Sequence, residues 1–366
     1  MLPCYSVAAA KRLGVPWWGA IRRPMPQTPK ILVIRRRYLG DVVLLGSLFR
    51  NLRLFWPDAR IVALVEAAYA GILALNPDVD EAMTLPARAL DWPGFSARIR
   101  KAEFTHVLDI DNTEKTAAIA RLSGAPMRVA LHHGPHALKL RALYTHVVHD
   151  PAAEHENRPI TEYYLKALGP AGVPIAAREV RLVPRESDVA DWRRYIGAPG
   201  MTLVLHPGSR SPWRLWPADR FAAVCDRVQD ELGAQVVLAG GPADRAQVEK
   251  IRSLARSHVL ALDAPPSLPR LAALARAGSA FLCHDSGPMH VAAAVGTPVV
   301  ALYGSQNTVL FRPHGEGHTL VAPAMPCTAC VAPGECVPAD SYHNRCVRLN
   351  TVEEVFGAVR ATLGRA

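Results

Sequence analysis

The chain is 366 residues long and half hydrophobic, enough to bury two cores of ordinary domain size, and it carries 42 basic against 32 acidic side chains for a formal charge of +10. That balance favours anionic partners such as nucleotides, phosphorylated glycans or an acidic membrane face, whereas 7% aromatic residues with no repeat of aromatic and basic positions argues against a nucleic-acid groove. No stretch approaches the roughly 18 apolar residues of a membrane span.

Residues 1–29 stand apart from the rest. Lys11, Arg12, Arg22 and Arg23 flank Val15-Pro16-Trp17-Trp18, and the apolar run is broken too often for the core of a secretion signal. Paired tryptophans among basic residues suit peripheral contact with an anionic membrane; an untied tail or a wrongly assigned start is the plainer alternative.

Ordered sequence begins at Lys30. Residues 31–34 read as a first strand, Tyr38-Leu39-Gly40-Asp41 as a turn, and 42–55 as a helix ended by Trp56-Pro57-Asp58. Strands over 60–65 and 106–110 follow, with helices over 67–75 and 113–122. Repeated strand and helix alternation predicts a parallel sheet with helices on both faces, whose chemistry sits at the carboxyl ends of the strands. Asp41, Asp111 and Lys115 fall at such ends. Residues 126–160 hold His132, His133, His136, His146, His149 and His155 at spacings that match no metal-ligand pattern, and they read as connecting structure. A helix over 159–168 leads into a linker stiffened by Pro170, Pro174 and Pro184, which places the first domain at 30–190 and the second at 198–350.

The second domain repeats the plan. A strand over 202–205 ends in His206-Pro207-Gly208-Ser209, a helix spans 217–232, and a strand over 235–239 closes on Gly240-Gly241-Pro242. A helix over 268–275 precedes the apolar strand 280–283 and the stretch His284-Asp285-Ser286-Gly287-Pro288-Met289-His290. There Asp285-Ser286 can cap a helix starting near Pro288, whose free N–H groups would attract an anion, while Gly287 admits a ligand close to the backbone. An ordinary strand-to-helix turn is the plainer reading. Another strand covers 299–303, and the helix within 351–366 is expected to cross back onto the first domain.

Cys4, Cys225 and Cys283 are isolated, as buried thiols of a reduced compartment are. Cys327-x-x-Cys330, Cys336 and Cys346 put four thiols within 20 residues, with His343 among them. They could hold a structural zinc or iron, although the second pair, spaced ten apart, fits no standard template; reduced thiols or a disulfide are the alternatives.

Leu39-Gly40-Asp41, Asn76-Pro77-Asp78-Val79-Asp80, Leu205-His206-Pro207-Gly208, Trp216-Pro217-Ala218-Asp219-Arg220-Phe221, Ala239-Gly240-Gly241 and Asp285-Ser286-Gly287-Pro288-Met289-His290 are weak signals one by one. In this order and spacing, from Lys30 to the C-terminus, they resemble the heptosyltransferase family of glycosyltransferases, family 9. The resemblance implies an α/β protein of the GT-B type, two Rossmann-like parallel-sheet domains facing across a cleft, with the acceptor on the first and the nucleotide sugar on the second. It puts the general base at Asp41, which the residues alone would read as a helix cap. It puts stabilisation of the leaving diphosphate at Arg214, where the family usually has a lysine; an arginine keeps the charge and can give phosphate two parallel donors. A surface arginine is the plainer reading, with Arg210 as a competitor.

Donor contacts are expected from His206, Gly208, Ser209, Gly241, Asp244, Asp285, Ser286, Gly287, Met289 and His290, with Asp244 as the candidate for the ribose and His290 either touching phosphate or packing under the turn. Arg35, Arg37, Asp111 and Lys115 are the expected acceptor side. Gly304-Ser305-Gln306-Asn307 departs from the family's Gly-Pro-Thr, and Asp109-Ile110-Asp111 stands where the family has Asp-x-Gln. The implied activity is inverting, metal-independent transfer of a heptose or similar sugar from a nucleoside diphosphate, ADP-heptose by resemblance, to a lipopolysaccharide-core acceptor, in the cytoplasm or at the cytoplasmic face of the inner membrane. A sugar-nucleotide epimerase on the same plan and a non-catalytic nucleotide- or glycan-binding protein are the alternatives.

Overall fold

The computed structural model describes residues 28–134, 138–197, 200–211, 214–304, 306–324 and 345–365. The first unit contains strands β1 (Lys30–Ile34), β2 (Arg60–Val65), β3 (Glu81–Thr84), β4 (His106–Asp109), β5 (Met127–His133) and β6 (His146–Asp150). Its helices are α1 (Leu39–Leu44), α2 (Gly46–Phe55), α3 (Ala67–Leu73), α4 (Trp92–Lys101), α5 (Glu114–Leu122), α6 (Ala152–His155) and α7 (Ile160–Leu165). After α8 (Glu186–Ile196), the second unit has β7 (Thr202–His206), β8 (Gln235–Leu238), β9 (Leu260–Ala261), β10 (Ala280–His284), β11 (Val299–Leu302) and β12 (Thr319–Val321). Its helices are α9 (Ala218–Leu232), α10 (Arg245–Leu254), α11 (Leu268–Ala277), α12 (Gly287–Ala294), α13 (Arg345–Arg348) and α14 (Val352–Leu363).

Each set of six strands forms one parallel sheet, in the orders β3-β2-β1-β4-β5-β6 and β12-β11-β10-β7-β8-β9. Parallel strands covered on both faces need apolar side chains at every position. The central strands meet that demand: β1, β2, β7 and β10 are buried along almost their whole length. In the first sheet Leu32 stands beside Val62 on one side and Val107 on the other; in the second, Leu282 stands between Leu205 and Val300.

Three expectations change. Leu39-Gly40-Asp41 is the first turn of α1 rather than a loop before it, because Tyr38 is extended and the Asp41 carboxylate, at the third helical position, accepts the Tyr38 N–H at 2.9 Å. The histidine-rich stretch forms β5 and the edge strand β6, where one side of the sheet is open enough to accept His146 and His149. The last helix does not return to the first unit: Val355, Phe356, Val359 and Leu363 share a core with Phe221 of α9 and with Leu282 and Leu302 of the second sheet. Thr351 starts that helix with a capping box, its hydroxyl accepting from Glu354 N and the Glu354 carboxylate accepting from Thr351 N.

The chain changes sheet ahead of α8. Leu182 N–H donates to Ala294 O and Val183 N–H to Leu75 O, both at 2.8 Å, so the proline-containing connection is bonded to both units. Helix α8 then packs on α11, with Trp192 Nε1 donating to Arg270 O at 2.8 Å.

The two units meet where α1 lies on α12. A Cβ at Gly40 would stand 2.6 Å from the His290 ring, and one at Gly287 would stand 2.8 Å from Leu39 Cβ. Two glycines, one on each helix, therefore allow the close approach, and apolar packing continues across it from Val42 and Val43 to Met289 and Val291. Among the described residues no helix is long and apolar enough to cross a membrane. Gly40→Ala should lower unfolding stability by about 1–3 kcal/mol through overpacking against the buried His290 ring. Gly94→Ala, in α4 with nothing within 4 Å of the added methyl, should leave stability equal or higher. Equal urea midpoints for the two variants would contradict this account of the contact.

Candidate functional site

A cleft of about 510 Å³ opens between the units, lined by residues that follow the carboxyl ends of strands in both sheets. Arg35 and Asp41 follow β1, Asp111 and Asn112 follow β4, and His132 and His133 end β5. Tyr163 and Tyr164 of α7 complete that wall, which faces Arg214, Asp285, Asn307 and Phe311 of the second unit.

Asp41 is the centre of the first wall. Its Oδ1 accepts from Arg35 Nη2 at 2.6 Å and from the Tyr164 hydroxyl at 2.6 Å, while its Oδ2 takes the Tyr38 N–H. The side chain is 13% exposed, so the carboxylate is fixed without being sealed. Arg35 also reaches Asp111 Oδ1 and the Ile110 carbonyl, both at 3.4 Å. Burial opposes the Arg35 charge, but Tyr164, Asp41 and Asp111 together outweigh it and hold the guanidinium pKa above its ordinary value. Asp111 is pinned from both sides, its Oδ2 accepting from Arg36 Nε. Asp109 is fully buried and accepts from Tyr144 and from the Asp111 and Asn112 amides, so it shapes the turn; burial lifts its pKa to about 6.

On the second wall Arg214 Nη1 donates to the Asp285 carboxylate at 3.0 Å and to its carbonyl at 3.3 Å. Asp285 is buried, which lifts its pKa to about 6 against the pull of Arg214. Ser286 occupies the N-cap position of α12, yet its hydroxyl donates to the His284 carbonyl and makes no cap hydrogen bond. The Asp285 carboxylate faces Arg214 instead, so the side-chain capping expected of this pair is not what starts the helix. Beneath the turn, His284 Nε2 accepts the Trp216 N–H at 2.8 Å, with burial lowering its pKa to about 3, and this ties the Trp-Pro segment to β10.

Gly208 faces the Asp244 carboxylate so closely that a Cβ would lie 2.0 Å from Asp244 Cγ. Asp244 Oδ2 accepts the Gly241 N–H at 2.8 Å and lies 3.8 Å from His206 Nε2, whose pKa burial lowers against the pull of Asp244. Ser209 accepts from Ser211 N at 3.4 Å. Thus His206, Gly208, Gly241 and Asp244 form one knot at the ends of β7 and β8. Met289 is fully buried and receives the Tyr303 hydroxyl, and His290 is buried under Gly40, with its pKa lowered by burial to about 4. Neither lines the cleft.

The acceptor-side expectations divide. Arg35 and Asp111 line the cleft, whereas Lys115 holds its ammonium over the Trp92 ring, 5.3 Å from the centroid, and Arg37 lies over the Tyr38 ring, outside the lining. Arg210, considered for the Arg214 role, sits over the same Tyr38 ring. Among the described residues no group of three or more His, Cys, Asp or Glu side chains could hold a metal ion. His133 and His155 stack on each other at 4.2 Å instead, with His155 Nδ1 bonded to the buried Asp150 carboxylate. Cys327, Cys330 and Cys336, like residues 1–27, lie outside the described residues; Cys346 is buried with its sulfur against Gly304.

Sequence reasoning missed Tyr164, read His133 and His155 as connecting structure, and saw Asn307 only as a departure from the family pattern. Asn307 Nδ2 donates to Glu156 O at 2.8 Å and so bridges the two walls. A helix carrying Tyr163-Tyr164 was readable, but no spacing shows that a hydroxyl returns 123 residues to Asp41.

Comparison with known proteins agrees with this arrangement. A model of glycosyltransferase family 9 (heptosyltransferase) matches residues 94–337. Among curated relatives, lipopolysaccharide heptosyltransferase 3 of Escherichia coli K12 is 28% identical over 295 residues, covering 76% of this chain and 84% of the relative. Among solved structures, a family 9 glycosyl transferase from Veillonella parvula superposes with TM-score 0.80 at 22% identity, covering 93% of this chain and 99% of that one. Escherichia coli ADP-heptose lps heptosyltransferase II superposes with TM-score 0.75 at 23% identity, covering 92% and 99%. The two facing parallel sheets are a GT-B fold. With two thirds of its length matched by the family model, the chain belongs to glycosyltransferase family 9, the heptosyltransferases.

Proposed function

We propose that this protein is an inverting, metal-independent heptosyltransferase that moves a heptose from ADP-heptose to a lipopolysaccharide-core acceptor. The observation that supports this reading most is the convergence, in one cleft, of an immobilised carboxylate from the first unit, Asp41, and a cation from the second, Arg214. The printed names of the relatives supply the sugar and the acceptor class.

The chemistry assigned to these groups is direct displacement. An acceptor hydroxyl held against Asp41 gives its proton to the carboxylate as its oxygen bonds to the anomeric carbon. The bond from that carbon to the diphosphate oxygen breaks on the opposite face, inverting the centre, and the electron pair leaves with the diphosphate. Arg214 stabilises the charge that develops there, together with the amides of the first turn of α12. Asp285 holds Arg214 through one nitrogen, and the side chain is 35% exposed, which leaves the rest of its fork accessible to phosphate. His206, Gly208, Ser209, Gly241 and Asp244, which do not line the cleft, are assigned to the nucleoside side. Gly287 is assigned to the contact with Leu39, which fills the space a side chain would take, and Met289 and His290 to packing beneath the turn. Arg35 and Asp111 are assigned to the acceptor side through their hold on Asp41.

Product analysis separates this reading from its alternatives, since an epimerase converts the donor when no acceptor is present and a binding protein turns over nothing. Asp41→Asn keeps the shape but sets an amide NH2 against one of the donors Arg35, Tyr164 or Tyr38 N–H, so stability should fall by about 1–3 kcal/mol while turnover falls by roughly 10² to 10⁴ with donor affinity retained. Near wild-type turnover would falsify the base assignment. Arg214→Ala should cut kcat by about 10² to 10³, and Arg214→Lys should recover part of it by restoring charge without the fork. A kinetic scan in which alanine equals wild type would remove Arg214 from the mechanism. Deletion of residues 1–27 should weaken binding to anionic vesicles, each lost cation contributing about 1 kcal/mol, without altering turnover on a soluble acceptor; unchanged sedimentation with vesicles would end the membrane-contact idea.

A further inference from the structure

We propose that Tyr164 is a positioning residue for sugar transfer: with Arg35 it occupies Oδ1 of Asp41 and so leaves Oδ2 as the atom that receives the acceptor's proton. The inference rests on the assignment of Asp41 as base and adds which oxygen reacts and what holds it.

The geometry carries it. A carboxylate oxygen has two lone-pair sites, and on Oδ1 both are taken, by Arg35 Nη2 at 2.6 Å and by the Tyr164 hydroxyl at 2.6 Å. Oδ2 accepts one described donor, the Tyr38 N–H at 2.9 Å, and keeps one site. The three donors come from separate places, the end of β1, the start of α1 and helix α7, so the carboxylate can neither rotate nor translate without breaking at least one of them. Arg35 is itself held between Asp111 and the Tyr164 ring, 5.8 Å from its centroid.

Tyr164 suits this task better than a more acidic donor would. Its side chain is wholly buried, and burial together with the adjacent Asp41 charge keeps its phenol protonated far above its ordinary range. It donates at every working pH and cannot itself take the acceptor's proton. In the transfer step the acceptor O–H bond breaks, its proton goes to Oδ2, its oxygen bonds to the anomeric carbon, and the bond to the diphosphate breaks with its electron pair. Throughout, the hydrogen bonds to Oδ1 stay in place.

Tyr164→Phe in the full chain tests the idea, since the ring that packs in the core remains and only the hydroxyl is lost. The expected result is a 10- to 100-fold lower kcat with donor KM unchanged, and an acid limb of the kcat/KM profile displaced to higher pH. The displacement follows because removing a hydrogen bond to an ionised carboxylate favours its protonated form. A purely structural role would lower the unfolding midpoint and the active fraction without moving that limb. In the Asp41→Asn background the Tyr164→Phe substitution should add almost nothing to the loss, as expected for two groups acting through one atom. If Asp41→Asn is inactive while Tyr164→Phe keeps wild-type kcat and pH profile, the positioning role is wrong and the base assignment stands. If Asp41→Asn is active, both fall.

Discussion

The contact of α1 with α12 is the constraint on which the site depends. Both helices begin at the carboxyl end of a central strand, and each presents a glycine to the partner's first turn: Gly40 beneath the His290 ring, Gly287 beneath Leu39. Because no side chain separates the backbones there, the turn carrying Asp41 and the turn carrying Asp285 stand against one another. Larger residues at either position would wedge the units apart at the point where the two walls of the cleft must be closest. The bonds from Ile160 N to Leu310 O and from Asn307 to Glu156 O hold the walls together farther along, at the edge where α6 and α7 meet the segment after β11.

Around that contact, charge is paired within each unit before any substrate arrives. On the first wall the cations Arg35 and Arg36 alternate with the carboxylates Asp41 and Asp111; on the second Arg214 is paired with Asp285. Buried charges survive only when paired and hydrogen-bonded, so these networks are what allow carboxylates to sit in a largely enclosed cleft. They also pre-orient the groups proposed to react, and a group already held in place loses less freedom when a substrate binds. The stacked His133 and His155 extend the same logic. Burial holds down the His133 pKa, while Arg158, Lys166 and His155 outweigh burial at Asp150 and bring that carboxyl to about 2.

The parts of this arrangement that were readable in the sequence share one physical property: they are written in contiguous residues. Strands covered on both faces must be unbroken apolar runs, so 31–34, 60–65, 202–205 and 280–283 announce themselves, and the motifs that follow them fall at the carboxyl ends. The parts that were not readable depend on residues far apart in the chain. Leu39-Gly40-Asp41 looks like a loop until Asp41 is seen closing its own helix start, and His132 to His149 look like connection because an edge strand need not be apolar. The last helix has an apolar stripe that fits either sheet, and only packing decides between them. Lys115 has the right place in the chain for the cleft, but its side chain turns to Trp92 on the helical face instead.

The arginine at position 214 shows how a local departure can be accommodated by the wall around it. An ammonium at this place would offer a point charge without a planar fork of donors. The guanidinium spends Nη1 on Asp285 and keeps separate nitrogens on the same rigid plane for another partner. Asp285, whose pKa burial lifts to about 6, thereby fixes the direction of the fork without exhausting it. In the proposed mechanism the carboxylate at the start of α12 would serve the diphosphate indirectly: alone it repels an anion, but paired it aims the cation that offsets the repulsion. The same division recurs on the opposite wall, where Arg35 carries the charge that offsets Asp41 and Asp111 while leaving one face of Asp41 open to the cleft.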